Sequence, residues 1–326
     1  MPVDRMPKFA PVALFGYNRP DHLAKTVEHL RANLFADQTD LYLFSDAAKD
    51  AAAEPGVRAV RRLAHEVVGF RSVTVVERQK NWGLRRSLIS GVSQVASEHG
   101  MVVVVEDDIV TSPHFLRYMN EALRFYTDFE TVGSVSAYAP PTVTAKAQLR
   151  PGDTFFHYRV NCWGWATWWS RWRRANWEPE NWQRYLEQRG AAALLARGGS
   201  DLPNMFRDSM EGRNQSWMAR WYYNCFLHGM LTLYPGESLV DNIGFDDTGV
   251  HCRGNVRQFA RYRASINSRS DTTYCFTLPV VVDKKIDRLM RRFWDLPWLP
   301  NNQFGQMIRP LYRGIRHVVR AARGQR

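Results

Sequence analysis

The segment Met101-Val102-Val103-Val104-Val105, followed at once by Glu106-Asp107-Asp108, constrains this chain more than any other. Four consecutive valines present no polar face to water. The segment therefore reads as a strand buried on both sides, the position of a parallel strand inside an α/β sheet. The three carboxylates mark the point where that strand leaves the sheet. Open α/β sheets bind ligands just beyond the carboxyl ends of their strands. Carboxylate oxygens on a rigid strand end suit a hard divalent cation such as Mg²⁺ or Mn²⁺, which in turn holds a diphosphate. An isolated acidic triplet is more often a solvated turn. Its surroundings decide between the two.

Upstream, apolar stretches alternate between strand and helix patterns. Val12-Ala13-Leu14-Phe15, Leu41-Tyr42-Leu43-Phe44 and Val73-Thr74-Val75-Val76 read as strands. Between them, Leu23, Val27, Leu30 and Leu34, then Val57, Val60, Leu63, Ala64 and Val67, recur at helical spacing. Leu84, Leu88, Val92 and Val95 lead into the valine strand; Phe115, Leu116, Met119 and Leu123 continue from it to a strand at Val132 to Ala137. Repeated βα units predict a mostly parallel sheet flanked by helices. After Pro140-Pro141 the texture changes: eight of the twelve tryptophans fall between Trp163 and Trp217. Such a concentration is expected either to pack as core or to line a sugar-sized groove.

The chain has 326 residues, of which 45% are hydrophobic and 23% charged, as in an ordinary globular protein. No apolar run is long enough to span a bilayer. The first residues, Met1 to Lys8, carry no apolar leader core. The cysteines Cys162, Cys225, Cys252 and Cys275 are widely spaced, without a C-x-x-C pair. They read as reduced thiols, and the expected compartment is the cytoplasm. The net charge of +12 is concentrated at one end: eleven of the 44 basic and two of the 32 acidic residues lie from Lys284 onward. That leaves +9 in the tail and +3 elsewhere.

Three strand ends face one crevice if the sheet is wound this way. They carry Asn18-Arg19-Pro20-Asp21, Ser45-Asp46 and Glu106-Asp107-Asp108. An arginine at a helix start can clamp phosphate oxygens, and an acidic residue after a strand can accept a hydrogen bond from a base or ribose.

These segments resemble the A-type fold (GT-A, Rossmann-like) glycosyltransferases, and within them the group of the N-acetylglucosaminyltransferase that initiates complex N-glycans, with its bacterial relatives. The resemblance rests on Gly16-Tyr17-Asn18-Arg19-Pro20, Phe44-Ser45-Asp46, Asn81-Trp82-Gly83-Leu84, Glu106-Asp107-Asp108-Ile109 and Ser112 to Leu116. Trp163-Gly164-Trp165-Ala166, Ser216-Trp217 and Leu239 to Phe245 follow in family order. It implies a nucleotide-sugar donor, most readily a UDP-sugar, a Mn²⁺ or Mg²⁺ ion, and inverting transfer to a glycan or lipid-linked acceptor. By position, Arg19 is expected at the diphosphate or nucleoside, Asp46 at the base, Asp107 at the ribose or sugar, and Asp108 on the metal. Glu106 and Asn81 complete the expected donor site. The expected organisation is a nucleotide-sugar-binding half over 8–140, an acceptor half of the same domain over 141–283, and a basic tail over 284–326.

One departure concerns the catalytic base. The family pattern places a carboxylate just before Ser216-Trp217, where this chain has Gln215, an amide that cannot take a proton. Glu211 and Asp208 are the nearest substitutes in sequence. His251, within Asp246 to His251, is a further candidate donor or metal contact, against the plainer reading of a structural histidine. In the tail, Ile286, Leu289, Met290, Phe293 and Trp294 form one apolar stripe and Met307 to Val319 another, both interleaved with arginine. Such segments lie on anionic membranes or pack on a domain with a solvated basic face. Nucleic acid is not expected, since no recognition motif accompanies the charge. The competing functions are a sugar nucleotidyltransferase, whose longer phosphate loop Gly16 to Arg19 does not match, and a non-catalytic carbohydrate- or membrane-binding protein.

Overall fold

The computed structural model describes residues 9–246, 260–266 and 272–294. The alternating first part folds as its pattern predicts: β1 (Val12–Gly16), α1 (Pro20–Arg31), β2 (Asp40–Ser45), α2 (Glu54–Glu66), β3 (Ser72–Glu77), α3 (Gly83–His99) and β4 (Met101–Glu106). A short β5 (Ile109–Thr111), α4 (Phe115–Phe125) and β6 (Val132–Ser136) follow. These four βα units set β3, β2, β1 and β4 side by side, all parallel.

The aromatic half completes the same sheet. Its elements are α5 (Pro141–Ala147), β7 (Thr154–His157), β8 (Trp165–Trp168), α6 (Trp169–Trp172), α7 (Trp182–Glu187), α8 (Ala191–Leu195), α9 (Leu202–Met210), α10 (Trp217–Leu227) and β9 (Leu231–Pro235). The strand order is β3-β2-β1-β4-β8-β6-β9-β7. β8 is wedged between β4 and β6, antiparallel to both, and β7 closes the edge antiparallel to β9. The other six strands run one way, so the sheet is mostly parallel. β10 (Val240–Asn242) pairs with β5 as a separate two-stranded ribbon.

Alternation along the central strands sorts two cores. Val12, Leu14, Met101, Val103 and Val105 face α1, α2 and α4 through Leu23, Leu30, Val60, Phe115 and Met119. Ala13, Phe15, Val102 and Val104 face α3 and α10 through Leu88, Val92, Trp217 and Trp221. Each buried valine contributes roughly 1.5–3 kcal/mol relative to exposure. β8 serves both layers, Trp165 on one and Trp168 on the other.

Most of the clustered tryptophans are core. Trp165, Trp168 and Trp172 are fully buried, and Trp165 stacks on Trp217 with ring centres 5.0 Å apart. Trp163 differs: it is partly exposed and meets Tyr138, Phe245 and Tyr262 edge-on.

The tail's first stripe corrects one expectation. It forms α11 (Lys284–Trp294), whose Ile286, Met290 and Phe293 are buried against Val143, Phe155 and Tyr234. An apolar stripe packed on its own domain is not available to a membrane, so residues 284–294 belong to the fold rather than to a detached tail. The second stripe, Met307 to Val319, lies outside the described residues, as does His251. Among the described residues no helix is long and apolar enough to cross a membrane.

Candidate active site

The register of the parallel strands fixes where their ends open. Phe15 of β1 pairs with Glu106 of β4, and Gly16 with Ser45 of β2. The turns after β1, β2 and β4 therefore share one edge of the sheet. Pro20 occupies the first turn of α1, with its missing N–H among the groups that need no partner there, and leaves Arg19 at the mouth of the helix. The Arg19 guanidinium donates to Asp107 Oδ1, and to Asp108 Oδ2 at 2.9 Å. The Tyr17 backbone N–H donates to Asp107 Oδ2 at 3.3 Å, and the Thr26 hydroxyl to the Asp107 carbonyl at 2.8 Å. Asp107 is thus gripped by both its carboxylate and its backbone.

Asp108 is braced from the opposite side by the β5–β10 ribbon. Ile243 N–H donates to the Asp108 carbonyl at 2.9 Å. Gly244 lies so close that a Cβ there would collide with the Asp108 carboxylate. The side chain of Trp217, the first residue of α10, reaches Glu106 and slightly eases its charge. The start of α10, where Gln215 replaces the expected carboxylate, is thereby tied to the end of the valine strand.

Three carboxylates face one guanidinium here, and the proton affinities of Glu106 and Asp107 register the imbalance. Burial, then Asp108 and Asp107, push Glu106 up to about 8. Burial also pushes Asp107 up to about 6, against the pull of Arg19. Burial works against the charge of Arg19, but Asp107 and Asp108 outweigh it and hold the guanidinium above its ordinary value. The Cys162 thiol is pushed up by burial, then by Glu106 and Asp108.

A surplus of buried carboxylate is an environment that favours a cation. Among the described residues no three acidic, His or Cys side chains form a ready-made cage. Mg²⁺ is usually held by only one or two carboxylates, the remaining positions going to substrate phosphates and water. Asp108 fits that role: it is partly exposed, and only its Oδ2 is engaged by Arg19.

The other expected site residues are placed differently. Asp46 caps α3, accepting from Trp82 N–H at 3.0 Å and Gly83 N–H at 2.8 Å. Gly83 takes φ 72°, which a side chain would disfavour. Asn81 donates to the Ala47 carbonyl at 2.6 Å and so ties the β2 turn to the α3 start. Asp46 and Asn81 thus position a helix mouth at the crevice, where sequence alone assigned them to the ligand. Asp208 and Glu211 stand at the end of α9, both paired with Arg213 rather than with the strand-end cluster. Tyr17, Thr26 and Trp217 act in the cluster without having been assigned a role from sequence, and Gly244, expected to permit loop movement, instead packs against Asp108. Tyr17, Gly244 and Trp217 lie inside segments that carry the resemblance, whereas nothing in the pattern of α1 singles out Thr26.

The mostly parallel sheet thus carries an arginine-bridged carboxylate cluster at its strand ends. Residues 10–189, more than half of the chain, match the family described as Glycosyltransferase like family 2, and the chain belongs to that family. The family places it among glycosyltransferases rather than sugar nucleotidyltransferases. No curated protein matches the chain. Among solved structures it is similar to the mannosyltransferase PcManGT from Pyrobaculum calidifontis, in complex with GDP-Man and Mn²⁺. That match has 18% identity and a TM-score of 0.36 over 50% of this chain and 46% of the other. It is also similar to S. aureus TarS, at 15% identity and a TM-score of 0.29 over 39% of this chain and 21% of the other. The chain therefore spans less than half the length of either structure.

Proposed function

We propose that the protein transfers a sugar from a uridine diphosphate sugar to a hydroxyl of a glycan or lipid-linked acceptor, with inversion and with a divalent cation on Asp108. The observation that carries this reading is the Arg19–Asp107–Asp108 cluster at the joined ends of β1 and β4. The finer kinship with the N-acetylglucosaminyltransferase group belongs to the proposal and rests on the ordered motifs.

In this reading the acceptor oxygen attacks the anomeric carbon while the bond to the diphosphate oxygen breaks, and the electron pair leaves with the diphosphate. The cation, when bound, supplies Lewis-acid stabilisation of that leaving group. Arg19 adds a fixed positive charge beside it, held in place by its two aspartates. Asp107 and Glu106 face the ribose and sugar. Asp46 and Asn81 act indirectly, by holding the start of α3. Trp163, one of three partly exposed tryptophans of the cluster, offers its face to the acceptor ring. The acceptor proton goes to Glu211 or Asp208. Arg213 holds both carboxylates, so the acceptor hydroxyl has to displace it from one of them before transfer.

Isothermal titration of UDP and GDP, each with and without Mn²⁺, tests the donor assignment. Cation-dependent UDP binding that weakens by about 1.5–3 kcal/mol in Arg19→Ala is the expected result. Equal or tighter binding of GDP, or binding indifferent to Arg19, overturns it.

A further inference from the structure

We propose that the outer face of α11, together with the aliphatic side chains just before it, docks this protein onto an anionic lipid surface. The two faces of the helix have opposite fates. Ile286, Met290 and Phe293 are buried in the domain, whereas Lys284, Lys285, Arg288, Arg291 and Arg292 are all exposed. The five cations recur at i, i+1, i+4, i+7 and i+8, which is one continuous helix face. Among the described residues none of them is held in a salt bridge. The only acid within the helix, Asp287, points inward to His157, 3.4 Å away.

The helix is fixed as a rib. Its last residue, Trp294, lies under the Arg159 guanidinium at 3.9 Å, and Arg159 is itself forked onto Asp201 by two hydrogen bonds of 2.8 Å. The segment leading into α11 exposes apolar groups next to it in sequence. Val280 and Val282 pack toward the core, which turns Val281 outward, 55% exposed, beside Leu278 at 54%. The exposed Phe125 touches Phe276 in this segment, with ring centres 5.0 Å apart.

Charge and chemistry select the partner. Five exposed cations on one face, none in a salt bridge among the described residues, attract a dense anionic surface, and exposed aliphatic side chains have no counterpart on a nucleic acid or an acidic glycan. At a lipid interface they enter the acyl boundary while the cations meet headgroups. Because the helix's own apolar stripe is already occupied, the contact is shallow and chiefly electrostatic. It does not depend on the glycosyl-transfer reading.

The test is sedimentation of the full chain with vesicles of phosphatidylglycerol and phosphatidylcholine, and with phosphatidylcholine alone. Binding is expected only to the anionic vesicles, with release as salt approaches 1 M, where screening shortens to about 3 Å. The triple variant K285E/R288E/R292E should lose at least a hundredfold in partition, from about 1 kcal/mol per basic residue at 1.4 kcal/mol per decade. All three side chains are solvent-facing, so thermal melting should be unchanged. L278S/V281S, also at exposed positions, should weaken binding several-fold without altering retention on heparin. Wild-type vesicle binding by the triple variant overturns the proposal. So does an unchanged L278S/V281S that follows heparin and vesicles equally, the behaviour of a general polyanion site.

Discussion

Two arginines in this molecule each grip a pair of carboxylates, and the contrast between them separates a structural ion pair from a site. Arg19 bridges Asp107 and Asp108 at the end of β4, where its side chain is 21% exposed. Arg213 bridges Asp208 and Glu211 at the end of α9, where its side chain is 56% exposed. The chemistry is the same but the surroundings differ. Around Arg213 water screens the charges, and such pairs contribute about 0–1 kcal/mol. Around Arg19 burial and the mutual repulsion of the carboxylates raise the proton affinities of Glu106 and Asp107, an imbalance that water does not relieve. Only the buried cluster needs a further cation.

Asp108→Asn should have the largest effect. The amide can still accept from Arg19, so the fold should survive, but the charge that holds the cation is gone. Leaving-group stabilisation of several kcal/mol disappears, and transfer should fall by about three orders of magnitude or more. A radiolabelled-donor transfer assay, beside a thermal melt, measures both. Full activity in a folded variant, or in excess chelator, would falsify the metal assignment.

The exposed clamp comes next. If Glu211 takes the acceptor proton, Glu211→Gln should lower turnover by about 10²–10⁴-fold with donor affinity unchanged. Asp208→Asn run in parallel assigns the role to the stronger phenotype. Wild-type turnover in both would leave Arg213 and its partners as a surface ion pair with no part in chemistry.

Removing each arginine tests burial directly. Arg19→Met leaves three carboxylates facing one another and should cost about 3–5 kcal/mol of stability. Arg213→Met should cost less than about 1 kcal/mol. Urea unfolding of the two variants at neutral pH gives the comparison, and equal losses would refute the claim that burial distinguishes them.

The buried region was also the more legible one. Strands β1 to β4 follow from local apolar runs, and the winding of repeated βα units, which sets β4 beside β1, brings Arg19 and Asp107–Asp108 to one crevice. β8 is different. Its insertion between β4 and β6 depends on pairing Met101 with Trp168 across the chain, which no local pattern encodes. The backbone contacts of Asp46 were illegible for a related reason. A carboxylate after a strand looks the same in sequence whether it meets a ligand or, as here, the N–H groups of Trp82 and Gly83. The stripe of α11 was ambiguous in kind, because Ile286, Met290 and Phe293 at helical spacing serve a membrane or a domain equally well.

The smallest predicted effect asks whether burial also governs a third polar contact, His157 with Asp287, which docks α11. His157 is fully buried, and burial lowers its proton affinity below the ordinary histidine value despite Asp287. For Asp287 burial opposes the charge, but the contact with His157 and then Arg291 hold it below the usual carboxylate range. Both shifts have the same sign. Above the unfolded histidine value of about 6.5 His157 is neutral in either state and carries no penalty. As pH falls below that, the unfolded chain takes up a proton that folded His157 resists, so unfolding is favoured. The slope is at most about 1.4 kcal/mol per pH unit for one proton, and Asp287 adds to it only nearer pH 4. Melting temperature should therefore drop between pH 7 and 5 more steeply in the wild type than in His157→Gln, which has no proton to gain. Parallel curves for the two proteins would mean that His157 titrates as if exposed, and that the contact with Asp287 is as weakly coupled to the fold as the Arg213 clamp.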